Sequence, residues 1–181
     1  MVRFANGSIG KAAGRAPGSP SAGKVGMKLD ATDLKILELL QENGRITNVE
    51  LSRQVGISAP PCLRRVRALE ENGYIEGYHA RLNHTELGFG LTVFAMVGLH
   101  SQAEADLVAF EDLVADWPLV RECHMLNGEI DFMLKIVAHD LNEFQSFLTS
   151  ELTPAPNVAS VKTALTIRSS KVRPSVPFEH S

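Results

Sequence analysis

The sequence lacks the features that would indicate a membrane anchor or a catalytic centre. No run approaches the roughly 20 consecutive apolar residues that a membrane-spanning helix requires. The two cysteines, Cys62 and Cys123, lie 61 positions apart without Cys-x-x-Cys spacing. The chain also has no glycine-rich phosphate loop, nucleophile elbow, His-Glu-x-x-His motif or metal-ligand spacing among its histidines. We therefore predict a cytoplasmic protein that is not an enzyme and that needs no metal or other cofactor.

Acidic residues are absent from the first 27 positions, which carry four Lys or Arg. The segments 1–27, 28–82 and 83–181 have net charges of +4, 0 and −7. This asymmetry indicates that the front of the chain meets an anionic partner. Large apolar residues are scarce before Met27, so we predict a disordered basic leader. The leader either touches nucleic acid nonspecifically or is an unstructured extension upstream of a true start at Met27.

Residues 28–78 have the apolar spacing of three short helices. The first is predicted to begin after Asp30 and to end at Asn43-Gly44, since glycine readily takes the left-handed conformation of a helix terminus. The second begins with a capping box at Thr47 (TNVE) and stops at Gly56. The predicted core-facing positions of the three helices and the residues after them are Leu34, Leu37, Leu40, Leu63, Val66, Leu69 and Ile75.

Two adjacent prolines precede the most basic of these helices, in the stretch QVGISAPPCLRRVR. If Ser58 caps the helix, Pro60 and Pro61 fall in its first turn, where backbone N–H groups have no intrahelical partner. Proline costs little there and presets the backbone angle. We therefore predict that the prolines begin this helix, and that the three arginines of RRVR follow on its solvent side.

A glycine-containing turn between the second and third helices is typical of a helix-turn-helix unit, whose third helix enters the DNA major groove with its N-terminal residues. Arginine suits this contact because its planar fork pairs bidentately with guanine or phosphate. The alternative is that the three arginines form a solvated helix face. The residues predicted to contact DNA are Asn48, Arg53, Ser58, Ala59, Pro60, Pro61, Arg64, Arg65 and Arg67.

The second half of the chain alternates strands and helices. After strand-like alternation over 74–83, the pattern predicts strands at 91–100, 119–126, 130–139 and 158–171 and helices at 103–117 and 141–152. This order is the split βαβ, or ferredoxin-like, arrangement. The predicted fold class is α+β, with a three-helix winged helix-turn-helix domain at 28–78, a linker at 79–90, a ferredoxin-like βαββαβ domain at 91–171 and a tail at 172–181.

Two segments resemble one known family. The segment LDATDLKILELLQENGRITNVELSRQVGISAPPCLRRVRALEENGYIEGY is similar to the DNA-binding half of the Lrp/AsnC, or feast/famine, transcriptional regulators. GEIDFMLKIV resembles the family's Gly-acid-aromatic-Asp signature, with Ile130 in the aromatic position. The resemblance implies a regulator that binds double-stranded DNA, that forms homodimers or higher homo-oligomers through its C-terminal sheets, and that binds a small effector, commonly an amino acid, between dimers.

By the same resemblance, the loop after the second strand of the predicted sheet forms one wall of the effector site. Main-chain N–H groups around Gly128 would receive a carboxylate, and Asp131 would pair with an α-ammonium group. The alternative is a hairpin turn with a solvated acid. The residues predicted to bind the effector are Met125, Asn127, Gly128, Glu129, Asp131, Thr163, Leu165 and Thr166.

Two further alternatives stay open at this point. An architectural, nucleoid-associated protein would use the same helices with little dependence on DNA sequence or ligand. Cys62, which lies beside two arginines near a helix N-terminus, is either a packing residue or a redox switch with a lowered thiol pKa.

Overall fold

The structure, a computed structural model, describes residues 27–173 and 176–178. The described chain divides into two compact units. The α+β unit comprises residues 82–170, and the helical unit comprises residues 27–81 with the described residues that follow position 170. The predicted leader, apart from Met27, lies outside the described residues.

The helical unit contains three helices: α1 (Ala31–Glu42), α2 (Asn48–Val55) and α3 (Ala59–Glu71). A complete capping box begins α1, because Asp30 and Asp33 each accept a hydrogen bond from the other's main-chain N–H. Only half of the predicted capping box of α2 forms. The Thr47 hydroxyl accepts from the Glu50 N–H, but the Glu50 carboxylate accepts from two side chains of its own helix.

Ser58 occupies the cap position of α3, and Pro60 and Pro61 lie in the first turn as predicted. The Ser58 hydroxyl makes no capping hydrogen bond. A cap side chain normally accepts from the N–H of the second or third helical residue, and here both residues are proline, which has no N–H. Ser58 therefore caps α3 only through its extended backbone.

Left-handed glycines end two of the three helices. Gly56 has φ 80° after α2, and Gly73 has φ 78° after α3. The prediction that α1 ends at Asn43-Gly44 is confirmed, since its last residue is Glu42 and Asn43 is its C-terminal cap, but the left-handed conformation predicted for Gly44 is wrong. Gly44 instead lies against Tyr78, whose Cδ1 would be 3.2 Å from an added Cβ. Glycine is needed here for close packing rather than for its backbone angle.

Four fully or almost fully buried side chains form the core of the helical unit: Ile36, Leu51, Cys62 and Leu69. Val66 and Ile75 pack against this core, as predicted. The same prediction is wrong for Leu34 and Leu63, which are 45% and 39% exposed. Ile36 on α1 and Cys62 on α3 are fully buried instead.

The Cys62 thiol lies in that core without solvent contact. Loss of solvation raises its pKa, and the charge of Arg65 opposes this effect only in part. The lowered pKa on which the redox alternative depends is therefore wrong. Cys62 is a packing residue, as in the other interpretation of this position.

The segment 74–83 does not form the predicted strand, since no strand of the described chain includes it. Its two tyrosines bond to other parts of the helical unit. The Tyr74 hydroxyl donates to the Met27 carbonyl at 2.7 Å, and the Tyr78 hydroxyl donates to the Glu70 carboxylate at 3.0 Å. The two hydroxyl groups thus tie this segment to the start of the helical unit and to α3, and the segment pairs with no strand.

Val176, near the end of the chain, bonds to a residue of α1. The Gln41 side-chain amide donates to the Val176 carbonyl at 2.8 Å and accepts from the Val176 N–H at 3.0 Å. One side chain thus satisfies both main-chain groups of Val176, as a neighbouring strand would. The described part of the predicted tail at 172–181 is held to the helical unit at this residue.

The α+β unit contains β1 (Leu91–Leu99), α4 (Glu104–Ala115), β2 (Val120–Met125), β3 (Phe132–Ala138), α5 (Leu141–Phe147), a π-helical turn (Leu148–Leu152) and β4 (Val158–Leu165). The strands form one antiparallel sheet in the order β2-β3-β1-β4, which is the predicted ferredoxin-like topology. The last strand is shorter than predicted, because pairing with β1 stops at Leu165.

One face of this sheet is the core of the α+β unit. Alternate residues of β1 and β3, such as Val93, Val97 and Leu134, are fully buried against α4 and α5. Aromatic rings from the helices fill the layer, with Phe110 and Trp117 packed edge to face at 6.1 Å between centroids. No helix in the described chain is both long enough and apolar enough to cross a bilayer.

Candidate functional site

The first candidate site is the exposed face of α3, the recognition helix of the helix-turn-helix unit. Arg64 and Arg67 are exposed, and within the described residues their side chains make no hydrogen bond or ion pair. Pro60 and Arg64 lie one turn apart on this face, as do Leu63 and Arg67. The helix thus offers two uncommitted guanidinium groups beside an apolar first turn.

Arg65 differs from its two neighbours because its guanidinium is committed to α1. Its Nη1 donates to Asp33 Oδ1 at 2.7 Å and to Asp30 Oδ2 at 2.8 Å. The Asp33 side chain is only 6% exposed, so this carboxylate depends on Arg65 for its charge partner. The two carboxylates raise the pKa of Arg65. Arg65 joins the recognition helix to the first turn of α1.

Asn48 is half-buried, and its side chain bonds within the helical unit. Its Nδ2 donates to the main-chain carbonyl of Ala59 at 2.8 Å, which ties the start of α2 to the start of α3. Its Oδ1 is buried and, within the described residues, has no hydrogen-bond partner. The contact fixes where the first turn of the recognition helix begins.

Arg53 lies on the exposed side of α2. Its Nη1 is 3.4 Å from Glu50 Oε2, and the two side chains are 74% and 46% exposed. A solvent-exposed pair of this kind contributes little stability. Arg53 can therefore exchange Glu50 for a phosphate at small cost.

The second candidate site is a cleft of about 370 Å³ in the α+β unit. Three of the residues predicted to bind the effector, Met125, Asn127 and Asp131, line it. The wall is completed by Gln102, Leu107 and Leu126. Met125 is 59% exposed, so the cleft combines an open apolar surface with amide and carboxylate groups.

Asp131 is buried at the base of this cleft, with 8% of its surface exposed. Its Oδ2 accepts the Leu99 N–H at 2.6 Å, and its Oδ1 accepts from Gln102 Nε2 at 2.7 Å. Its main chain bonds to Val97 and Leu126. The carboxylate therefore braces the loop between β2 and β3 against β1, and each oxygen retains a further lone pair as an acceptor.

The other residues predicted for this site lie outside the cleft lining. Gly128 and Glu129 are exposed in the same loop. Gly128 is not left-handed, and an added Cβ would meet nothing within 4 Å. Thr163 and Leu165 lie on β4, and Thr166 follows it, at the sheet edge opposite to β2. Within one chain, β4 does not reach the cleft.

Sequence reasoning missed three lining residues: Gln102, Leu107 and Leu126. Leu126 directly follows Met125 in the predicted strand, so its position was a usable signal. Gln102 lies 29 positions before Asp131, and only the folded sheet brings the two together. Leu107 lies on α4, where it packs against the core of the α+β unit and also lines the cleft. Within the described residues, no group of three His, Cys, Asp or Glu side chains could hold a metal ion.

Comparison with known proteins identifies both halves of the chain. A protein-family model described as "Winged helix-turn-helix DNA-binding" matches residues 29–76. A second model, "Lrp/AsnC ligand binding domain", matches residues 92–176. The recognition helix lies within the first match, and the cleft lies within the second.

The chain also resembles known proteins over most of their length. The chain is 58% identical over 147 residues to the leucine-responsive regulatory protein of Rhizobium meliloti (strain 1021). The matched region covers 81% of this chain and 94% of that protein. It is 43% identical to the Bkd operon transcriptional regulator of Pseudomonas aeruginosa, over 83% of this chain and 99% of that protein. A transcriptional regulator of Neisseria meningitidis, crystallised in complex with L-Met, superposes with a TM-score of 0.79 at 38% identity, over 83% and 97% of the two chains.

Proposed function

The chain belongs to the Lrp/AsnC family of transcriptional regulators, and from that premise we propose that it regulates transcription in the cytoplasm in response to an amino acid. The observation that carries this proposal is the cleft around Asp131, which is lined by apolar side chains together with the Asp131 carboxyl group. In this proposal, the cleft binds the amino acid, and the helix-turn-helix unit binds DNA.

In the DNA complex, Arg64 and Arg67 contact phosphates or guanine edges, because both are exposed and unpaired within the described chain. Arg53 adds a phosphate contact from α2. The first turn of α3, from Ser58 to Pro61, approaches the base edges. Arg65 and Asn48 act as positioning residues, since their polar groups hold α3 to α1 and α2.

An amino acid fits the chemistry of the cleft. The Asp131 carboxylate accepts a hydrogen bond from the α-ammonium group through its remaining lone pairs. Met125, Leu107 and Leu126 offer apolar contact to a side chain, and Asn127 offers an amide to the α-carboxylate. The composition of the wall favours amino acids with a medium-sized apolar side chain.

A thermal-shift screen of the twenty L-amino acids against the full chain tests this proposal. A ligand that prefers the folded state stabilises it by RT ln(1 + [L]/Kd), which is about 2.7 kcal/mol at a concentration of 100 Kd. We expect an apolar amino acid to raise the melting temperature in a saturable way. If none of the twenty does so, the proposed effector class is wrong.

Two variants locate the site once a ligand is found. Met125→Ala removes an exposed apolar contact, and Asp131→Asn removes the charge while it keeps an acceptor for the Leu99 N–H. Each should weaken binding about tenfold in isothermal calorimetry, a loss of ~1.4 kcal/mol. Val108→Ala, which truncates another exposed apolar side chain, on α4 outside the cleft, should bind as the wild type does. Equal affinities in all four proteins would remove the cleft as the site.

We further propose that two chains pack through the sheet face that α4 and α5 leave open. Phe94 and Met96 of β1 and Met133 of β3 lie on this face and are only half-buried in a single chain. In such a dimer or a larger homo-oligomer, Thr163, Leu165 and Thr166 can reach an effector only from another chain. Light scattering should show that Phe94→Glu lowers the oligomeric state, whereas the wild type remains at least a dimer.

A further inference from the structure

The exposed face of α3 carries a leucine that the fold does not bury. Leu63 is 39% exposed, whereas the adjacent Cys62 is fully buried. Ala59 lies one turn before Leu63 and Arg67 one turn after it. Leu63 therefore stands between the apolar first turn of the recognition helix and its uncommitted arginines.

This first turn has few hydrogen-bond donors. A helix N-terminus normally presents free main-chain N–H groups to a phosphate or a base. Pro60 and Pro61 have none, and Ala59 adds no polar side chain. Apart from the Ser58 hydroxyl and the Ala59 N–H, the surface that the turn offers to a base pair is apolar.

The apolar group that a base pair presents in the major groove is the C5-methyl of thymine. We propose that Leu63 contacts this methyl group, and that the contact makes the protein select a T·A pair at one position of each half-site. Arg64 and Arg67 hold α3 against the duplex from the same face, which brings Leu63 to the base edges. The inference rests on DNA binding by α3 and adds which base the helix selects.

Deoxyuridine provides an atomic test, because it differs from thymidine only by the missing methyl group. A duplex is first selected from a randomised library with the full-length wild-type protein. Each thymidine of that duplex is then replaced singly by deoxyuridine, and affinity is measured by fluorescence anisotropy at one fixed salt concentration. At the contacted position, we expect binding to weaken about fourfold, which corresponds to ~0.8 kcal/mol for one buried methyl group.

Leu63→Ala completes the double-mutant cycle. It should weaken binding to the thymidine duplex and should abolish the deoxyuridine effect at the contacted position, since the methyl group then has no partner. Leu34→Ala truncates a comparably exposed leucine on α1 and should retain the full effect. Melting curves of the free proteins confirm that both variants are folded.

The outcomes separate the base contact from DNA binding itself. If the selected duplex binds tightly but no single deoxyuridine weakens binding, or if the loss is equal in wild type and Leu63→Ala, the thymine contact is overturned and DNA binding stands. If no duplex is enriched over random DNA, sequence-specific binding by α3 fails, and the thymine contact fails with it.

Discussion

Arg65 donates to Asp33 Oδ1 at 2.7 Å and so joins the recognition helix to the capping box of α1. Asp33 has two roles in this arrangement, because it also accepts from the Asp30 N–H at the cap. The position of α3 is therefore linked to the correct start of α1. Of the three arginines of RRVR, the middle one supports the fold, and the outer two are available to a ligand.

Arg65→Ala should lower the free energy of unfolding by roughly 1–3 kcal/mol, since it leaves the buried Asp33 carboxylate without its charged donor. Arg65 is itself about a third exposed, so solvent screening places the value towards the lower end of that range. Arg64→Ala should change stability by less than about 0.5 kcal/mol. Urea denaturation of the full chain, followed by circular dichroism, measures both. Equal stability of the two variants would contradict the assigned role of Arg65.

Substitutions of the same arginines should change the salt dependence of DNA binding by different amounts. The slope of log K against log salt is negative for DNA binding. It becomes shallower by about 0.9 for each phosphate contact that is lost from B-form DNA. We expect this change for Arg64→Ala or Arg67→Ala if the arginine contacts a phosphate. Arg65→Ala should weaken binding with little change in slope, because it displaces the helix without removing a phosphate contact. A full unit of slope change in Arg65→Ala would make it a direct contact.

The sequence predicted the secondary structure well because helix caps, left-handed glycines and apolar periodicity are local signals. Ser58 with its two prolines, and Gly56, lie where those signals placed them. Local signals could not predict whether Arg65 contacts DNA or α1, since its partner Asp33 is 32 positions away. That choice depends on how the helices pack.

The cleft shows the same limit. The loop containing Asp131 was identified through family resemblance, but Gln102 contacts it only because β1 and β3 are neighbours in the sheet. The tyrosines of 74–83 show a related case, in which residues of an alternating pattern bond to Met27 and Glu70 instead of pairing in a sheet. Periodicity specifies which residues share a face, and the tertiary fold decides what that face meets.

The cap of α1 should make the helical unit sensitive to acid. The main-chain bond from Asp33 and the Arg65 guanidinium lower the pKa of the Asp30 carboxyl below its ordinary value of 3.8. A lowered pKa in the folded state means that the stabilisation is complete above the ordinary value and is lost as the pH falls through the folded value. Asparagine at this position remains a good cap but does not titrate.

We therefore expect Asp30→Asn to be less stable than the wild type near neutral pH and to approach it as the pH falls below about 4. Other carboxyl groups titrate in the same range, but they are common to both proteins, so the difference between the two stabilities isolates Asp30. Urea titrations at a series of pH values give this difference. A stability difference that stays constant between neutral pH and the acid limit would show that the charge of Asp30 does not contribute.

Asp131 should prove to be both a binding and a bracing residue, and two substitutions distinguish these roles. Asp131→Ala leaves the Leu99 N–H and the Gln102 amide without their acceptor, and an unsatisfied buried donor costs roughly 1–3 kcal/mol. Asp131→Asn retains an oxygen for the Leu99 N–H, so it should destabilise the α+β unit less while it still removes the charge that an α-ammonium group requires. Thermal unfolding measured with and without the effector separates the two effects. If Asp131→Ala melts as the wild type does, the brace contributes nothing, and a loss of effector binding in that variant would then report the ligand contact alone.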